Sequence, residues 1–165
     1  MIRKIVFLLM LTGLLACTGK NTKEYATVEE MVKDAKTHVE FISVTDFKTE
    51  LDKHAIMYLI DCREPEEFDS SCIKSAINIP RGIIESVISE KAPKHRQTVY
   101  IYCDNGDRST LAATILPQLK YKDVKVIEGG FDVVRVKLPD LVEMNPKRGD
   151  GSAKPAAKPS GGCGG

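Results

Sequence analysis

The sequence predicts an α/β fold: one open parallel sheet of about five strands with helices on both faces. Two observations carry that expectation. Ile56–Asp61 and Val99–Tyr102 are short, continuous apolar runs, the pattern of strands covered on both sides. Segments with helical spacing of apolar residues alternate with such runs, as they do in βαβ units. A third observation ties the fold to chemistry. Cys103 ends the second run, a polar loop with one glycine follows, and Leu111, Ala112, Ile115, Leu116 and Leu119 then share one helical face. Right-handed crossovers put that strand end at the carboxyl edge of the sheet, where open α/β folds hold ligands.

Residues 1–16 stand apart from the fold. Arg3 and Lys4 precede an apolar stretch from Ile5 to Leu15, too short to span a bilayer, in the manner of an export signal. Leu14-Leu15-Ala16-Cys17 resembles the lipobox of bacterial lipoproteins. That resemblance implies cleavage before Cys17, lipidation of Cys17, and an exported chain anchored to a bacterial membrane on its periplasmic or extracellular face. Removal of the segment takes away Arg3 and Lys4 and no acidic residue, which moves the net charge from +1 to −1. No basic stripe remains to mark a nucleic-acid partner.

Residues 17–39 read as a tether and a short extra helix. Thr27-Val28-Glu29-Glu30 has the form of a capping box. The helix it opens runs to about His38, with Val28, Met31, Val32 and Ala35 as its apolar face. A first strand is expected over Glu40–Val44, then a helix over Asp46–Lys53 with Phe47 and Leu51 inward. Gly82–Glu90 is expected as a helix over the sheet and Ala92–Gln97 as a polar turn. Pro117 should kink or fray the helix after Cys103, because it removes a backbone donor. Val124–Ile127 reads as a strand and Phe131–Lys137 as the last helix. Residues 139–165 read as a flexible tail. Its final twenty residues hold six of the twelve glycines and three of the eight prolines, a composition that buries too little apolar surface to order itself.

The loop after Cys103 sets up a reactive thiol. Gly106 permits a left-handed backbone there. Inward-turned N–H groups, a helix N-terminus and Arg108 would all favour thiolate over thiol. The alternative is that Cys103 is a buried small hydrophobe, as free cysteines often are.

Cys103-Asp104-Asn105-Gly106-Asp107-Arg108-Ser109 resembles the active-site loop of the rhodanese (sulfurtransferase) family. Asp61-Cys62-Arg63-Glu64-Pro65-Glu66-Glu67-Phe68 resembles that family's first signature, and Glu128-Gly129-Gly130-Phe131 its last. Over residues 40–138 the resemblance implies a rhodanese-like domain. It departs at Ser71-Cys72, where the family has a glycine-histidine pair, and at Ser75, often a glycine. Asp61 and Arg63 are read as a supporting ion pair, and Gly129 and Gly130 as letting the backbone approach the loop. Whether Cys62 and Cys72 pair is left open by their spacing.

The resemblance implies covalent catalysis in two halves. The Cys103 thiolate takes a sulfane sulfur from a small donor, and a thiol or cyanide removes it. Backbone N–H groups of Asp104, Asn105, Gly106, Asp107, Arg108 and Ser109 would bind the persulfide, and Arg108 would position an anionic donor and hold the loop. No metal or organic cofactor is called for. Asp104 and Asp107 would repel the thiosulfate dianion, which favours a persulfide or polysulfide donor. Cys163 in the tail is a candidate partner in a sulfur relay. The rhodanese-fold phosphatases that the loop also resembles use a loop one residue longer and a histidine where Tyr102 stands. The other reading is an inactive rhodanese-like binding module at the membrane surface.

Overall fold

The computed structural model describes residues 23–53 and 57–144. The segment expected as an export signal, Cys17, most of the expected tether, and the expected tail from residue 145 on, with Cys163, lie outside the described residues. The order of elements is α1 (Val28–Ala35), β1 (Glu40–Ile42), α2 (Val44–Asp52), β2 (Met57–Asp61), α3 (Pro65–Ser70), β3 (Ser71–Ile73), β4 (Ile77–Asn78), α4 (Ile84–Lys91), β5 (Thr98–Tyr102), α5 (Asp107–Ala113), β6 (Val124–Ile127), α6 (Gly130–Lys137) and β7 (Val142–Met144). Five strands form one parallel sheet in the order β1-β6-β5-β2-β4. This is the expected α/β sheet with helices on both faces.

Strand β5 shows how the sheet is built. Val99, Ile101 and Cys103 face one apolar cluster, with Ile84, Ile88 and Ala112 from α4 and α5. Tyr100 and Tyr102 face the other, with Phe47 from α2 and Phe131 and Val134 from α6. Both alternating faces of the strand are thus buried, which explains the unbroken apolar run. Phe47 meets Tyr100 edge-on at 5.3 Å between ring centroids, and the Tyr121 hydroxyl donates to Ala92 O at 2.7 Å beneath α4.

Several boundaries differ from the sequence-based expectation. Strand β1 ends at Ile42 because Ser43 caps α2, its hydroxyl accepting from Asp46 N at 3.1 Å. Thr27 caps α1 as expected, accepting from Glu30 N at 3.2 Å, but the Glu30 carboxylate accepts from Ala26 N instead of closing the box on Thr27 N. Only Val32 and Ala35 of α1 are buried, while Val28 and Met31 are exposed. Helix α5 ends at Ala113, and a 3₁₀ turn over Leu116–Leu119 carries Pro117 in its first turn. The domain does not give way to tail at residue 139. A 3₁₀ turn over Pro139–Leu141 leads into β7, which pairs antiparallel with β3. That pairing joins segments about seventy residues apart, so no local pattern announces it. Ser75, where the family often has glycine, takes φ +66° between β3 and β4.

Candidate active site

Cys103 follows β5 directly, and Gly106, at φ +101°, turns the chain into α5. The Gly106 N–H donates to Cys103 Sγ at 3.1 Å. Ser109 Oγ lies 3.7 Å from the same sulfur and donates to Gly106 O at 3.0 Å. The Asp107 N–H is not available to the thiol, because Asn105 Oδ1 accepts it at 3.0 Å. Gly106 and Ser109 are the loop amides directed at Cys103 Sγ itself. Helix α5 has seven residues, and these individual N–H groups, more than a long helix dipole, face the sulfur.

Cys103 has 0% exposure, so its thiol sits beneath the loop rather than in it. Its thiol is nevertheless lowered to about 7. The neighbouring Cys62 thiol is the largest cause, burial opposes it, and Ser109 and Gly106 add to the lowering. A buried sulfur with donors aimed at it is held as an anion, unlike one packed only among hydrocarbons.

The glycines of the last signature fix the loop from below. Gly129 and Gly130 adopt φ +69° and +59°. A Cβ on Gly130 would stand 2.5 Å from both the Cys103 and Asp104 carbonyl oxygens. With no Cβ there, Phe131 N donates to Cys103 O at 2.7 Å and Asp132 N to Asp104 O at 3.0 Å.

Asp61 and Arg63 form the expected supporting ion pair. Arg63 Nη2 donates to Asp61 Oδ2 at 2.6 Å, and Arg63 Nε and N both donate to Asp61 Oδ1 at 3.0 Å. The guanidinium also donates to Ser71 O at 2.7 Å and lies 4.1 Å over the Phe131 ring. The Tyr102 hydroxyl accepts from Ile73 N at 3.1 Å beside them. Both charged groups are buried, and they tie β2, β3 and α6 together under the loop.

Arg108 ties the loop to α3, in keeping with the expectation that it holds the loop. Its guanidinium donates to both oxygens of Glu67 in α3, at 2.7 and 2.8 Å. Nη2 also stands 3.0 Å from Asp104 Oδ1, an ion pair without hydrogen-bond geometry. Glu67 is the main reason that Arg108 is held more firmly protonated than usual. The cation is therefore engaged at the loop rim instead of standing open to an anionic donor. Asp107 is likewise compensated, by Lys36 just after α1 at 3.1 Å. Sequence reasoning missed Glu67, Lys36 and the role of Cys62. Their partners lie far away in the chain, and the only signal was that Glu67 and Cys62 fall within the first signature.

A family model described as a rhodanese-like domain matches residues 43–136. The chain belongs to the rhodanese-like family. Helix α1 and strand β1 precede the matched stretch of this rhodanese-like domain. Thiosulfate sulfurtransferase PspE of Escherichia coli is 32% identical over 84 residues, which cover 51% of this chain and 81% of that one. A mitochondrial protein of Schizosaccharomyces pombe is 36% identical over 84 residues, 44% of this chain and 59% of its own length. Among solved structures, a Rhodopseudomonas palustris protein of unknown function, described as a possible tyrosine phosphatase, matches with a TM-score of 0.60. It is 25% identical, over 72% of this chain and 96% of that one.

Proposed function

We propose that the chain is a sulfurtransferase that carries a sulfane sulfur on Cys103 as a persulfide. The observation that carries this reading is a buried thiol lowered to about 7 with the Gly106 N–H 3.1 Å from its sulfur. In the first half-reaction the Cys103 thiolate attacks the outer sulfur of a donor R–S–S⁻. A new S–S bond forms, the donor's own S–S bond breaks, and R–S⁻ leaves with the electron pair. In the second, an acceptor thiolate or cyanide attacks the outer sulfur, and the electron pair of the broken bond returns to Cys103 Sγ. The residues within this chain supply both steps without a cofactor.

The donor follows from Arg108. Asp104 and Asp107, expected to repel thiosulfate, are paired with Arg108 and Lys36, and Arg108 is bound by Glu67 as well, so that guanidinium does not stand open to the three-oxygen end of thiosulfate, a group that persulfides and polysulfides lack. PspE is named for thiosulfate. For this chain we read a persulfide or polysulfide as the better donor, with a thiol as acceptor. The same closed guanidinium speaks against phosphoryl chemistry, which would need Arg108 free to grip a phosphate. The lowered thiol speaks against an inactive binding module. We further read residues 1–16 as an export signal and Cys17 as the lipid anchor, which would set this chemistry at a membrane surface.

Intact mass after incubation with polysulfide tests the reading. One sulfur atom is gained in the parent and none in Cys103→Ala. No gain in the parent, or a gain that survives Cys103→Ala, overturns it. The same measurement on a chain truncated before Gly161 tells whether Cys163 receives sulfur.

A further inference from the structure

Two thiols, not one, end the central strands. β2 and β5 run parallel with Asp61 opposite Tyr102, and the Cys62 N–H donates to Tyr102 O at 2.9 Å. That hydrogen bond extends the ladder by one position and sets Cys62 opposite Cys103. Residues opposite one another in a parallel pair point to the same face of the sheet. Both thiols are indeed fully buried in the same apolar cluster beneath α4 and α5. Cys62 Sγ lies 3.1 Å from Tyr102 O, the carbonyl immediately before the nucleophile.

We propose that Cys62 is the buried hydrogen-bond donor that keeps Cys103 anionic, its S–H turning from Tyr102 O to Cys103 Sγ whenever that sulfur carries charge. The proposal rests on Cys103 being the nucleophile. Its chemistry completes the two half-reactions. Before attack the Cys62 S–H and the Gly106 N–H hold the thiolate from two directions. Once sulfur is loaded, the charge moves to the outer atom and the Cys62 proton returns to Tyr102 O. When an acceptor attacks, the Cys103–sulfur bond breaks and its electron pair arrives on an atom that both donors can meet. Cys62 thus stabilises the leaving group of the second step as well as the nucleophile of the first.

Cys62 is suited to remain the proton-bearing partner. Its thiol is pushed well up, first by its hydrogen bond to Cys103, then by burial and by the charges of Cys103 and Asp61, with Arg108 opposing. The other charges around the pair are themselves engaged. Arg63 is held by Asp61, Arg108 by Glu67 and Asp104, and Asp107 by Lys36. On the α4 side Arg81, whose N–H donates to Cys62 O at 3.1 Å, pairs with Glu85. Packing alone does not require a thiol here, because valine fills a similar volume and cannot donate.

The test is an equilibrium titration that needs no turnover. Thiolate absorbance at 240 nm is followed against pH in the full chain, and the curve of the matching Cys103→Ser chain is subtracted. The remainder reports Cys103 alone. In the parent the midpoint is expected near the value of about 7 given above. In Cys62→Val it moves up by about one unit, leaving about fivefold less thiolate at pH 7. Cys62→Ser, which keeps a donor, restores a midpoint near that of the parent. Cys62→Ala reads the same loss without the branched side chain, should valine disturb the core. A midpoint unchanged in both Cys62→Val and Cys62→Ala overturns the proposal, as does a Cys62→Ser curve that moves with them. Failure of the parent to take up sulfur would overturn the sulfurtransferase reading and leave this titration standing.

Discussion

Glu67 closes on Arg108 with both carboxylate oxygens, at 2.7 and 2.8 Å, across 41 residues of chain. The pair joins α3, which follows the Asp61–Arg63 corner, to the first turn after Cys103. It turns the loop's arginine from an anion receptor into a strut. Helix α3 itself comes from local sequence. Pro65 lies in its first turn, and the Glu67 carboxylate accepts from Glu64 N at 2.9 Å.

The first prediction opens that strut. Glu67→Gln leaves Arg108 with Asp104 alone and returns positive charge to the rim. The ratio of kcat/KM for thiosulfate to that for polysulfide is expected to rise by about three- to tenfold, as for a rim charge that steers an anion. The pair is part-exposed, so the loss of stability is expected to be at most ~1 kcal/mol. Steady-state kinetics with both donors and urea unfolding check the two halves. An unchanged donor ratio would remove Arg108 from donor selection.

Gly130 is expected to tolerate no side chain. In Gly130→Ala the new Cβ meets backbone carbonyls at 2.5 Å, and φ +59° is already strained for alanine. Overpacking and the left-handed backbone together predict a loss of about 2–4 kcal/mol by urea unfolding. Uptake of sulfur at Cys103 falls with it, because Phe131 N and Asp132 N can no longer hold the loop carbonyls in place.

Ser75→Gly is expected to stabilise the chain. Ser75 holds φ +66°, a conformation that strains every side-chain-bearing residue and does not strain glycine. Relief of that strain exceeds the added flexibility of the unfolded chain by up to about 1 kcal/mol. Thermal and urea midpoints would both rise, with sulfur transfer unchanged. A fall in either would mean that Ser75 makes a compensating contact.

The pH dependence of the first half-reaction follows from the sign of the Cys103 shift. The thiolate attacks, and the thiol's ordinary value of 9.0 is lowered to about 7. The single-turnover rate of persulfide formation is therefore expected to climb from pH 5, reach half its maximum near 7, and level off by 8 to 9. A half-point near 9 would show that the donors around the sulfur do not hold it as an anion.

Much of the fold was legible because it is local. Val124–Ile127 and the apolar run to Tyr102 appear as strands where the sequence places them, and Pro117 ends the α-helical geometry as its missing donor requires. Cys103, Gly106, Gly129 and Gly130 could be read from their motifs, since each motif specifies a backbone shape. What escaped was pairing at a distance. Strand β7 exists only because β3 accepts it. Glu67 is unremarkable until α3 turns it toward Arg108, and Lys36 until α1 packs beside α5. The spacing of Cys62 and Cys72 left open whether they pair. Strand register gives Cys62 a neighbour in Cys103.

The complete burial of Cys103 bears on which end of the proposed persulfide an incoming thiol would touch. For a donor to reach Cys103 the loop must give way, and the sulfur it adds is then the atom nearest the opening, so an incoming thiol meets that atom first. Attack there hands the cargo on. Attack at the inner atom would instead strand the chain in a mixed disulfide and release sulfide. Under the proposed chemistry, a sheltered sulfur would give the transfer its direction and guard against inactivation by the very thiols that serve as acceptors.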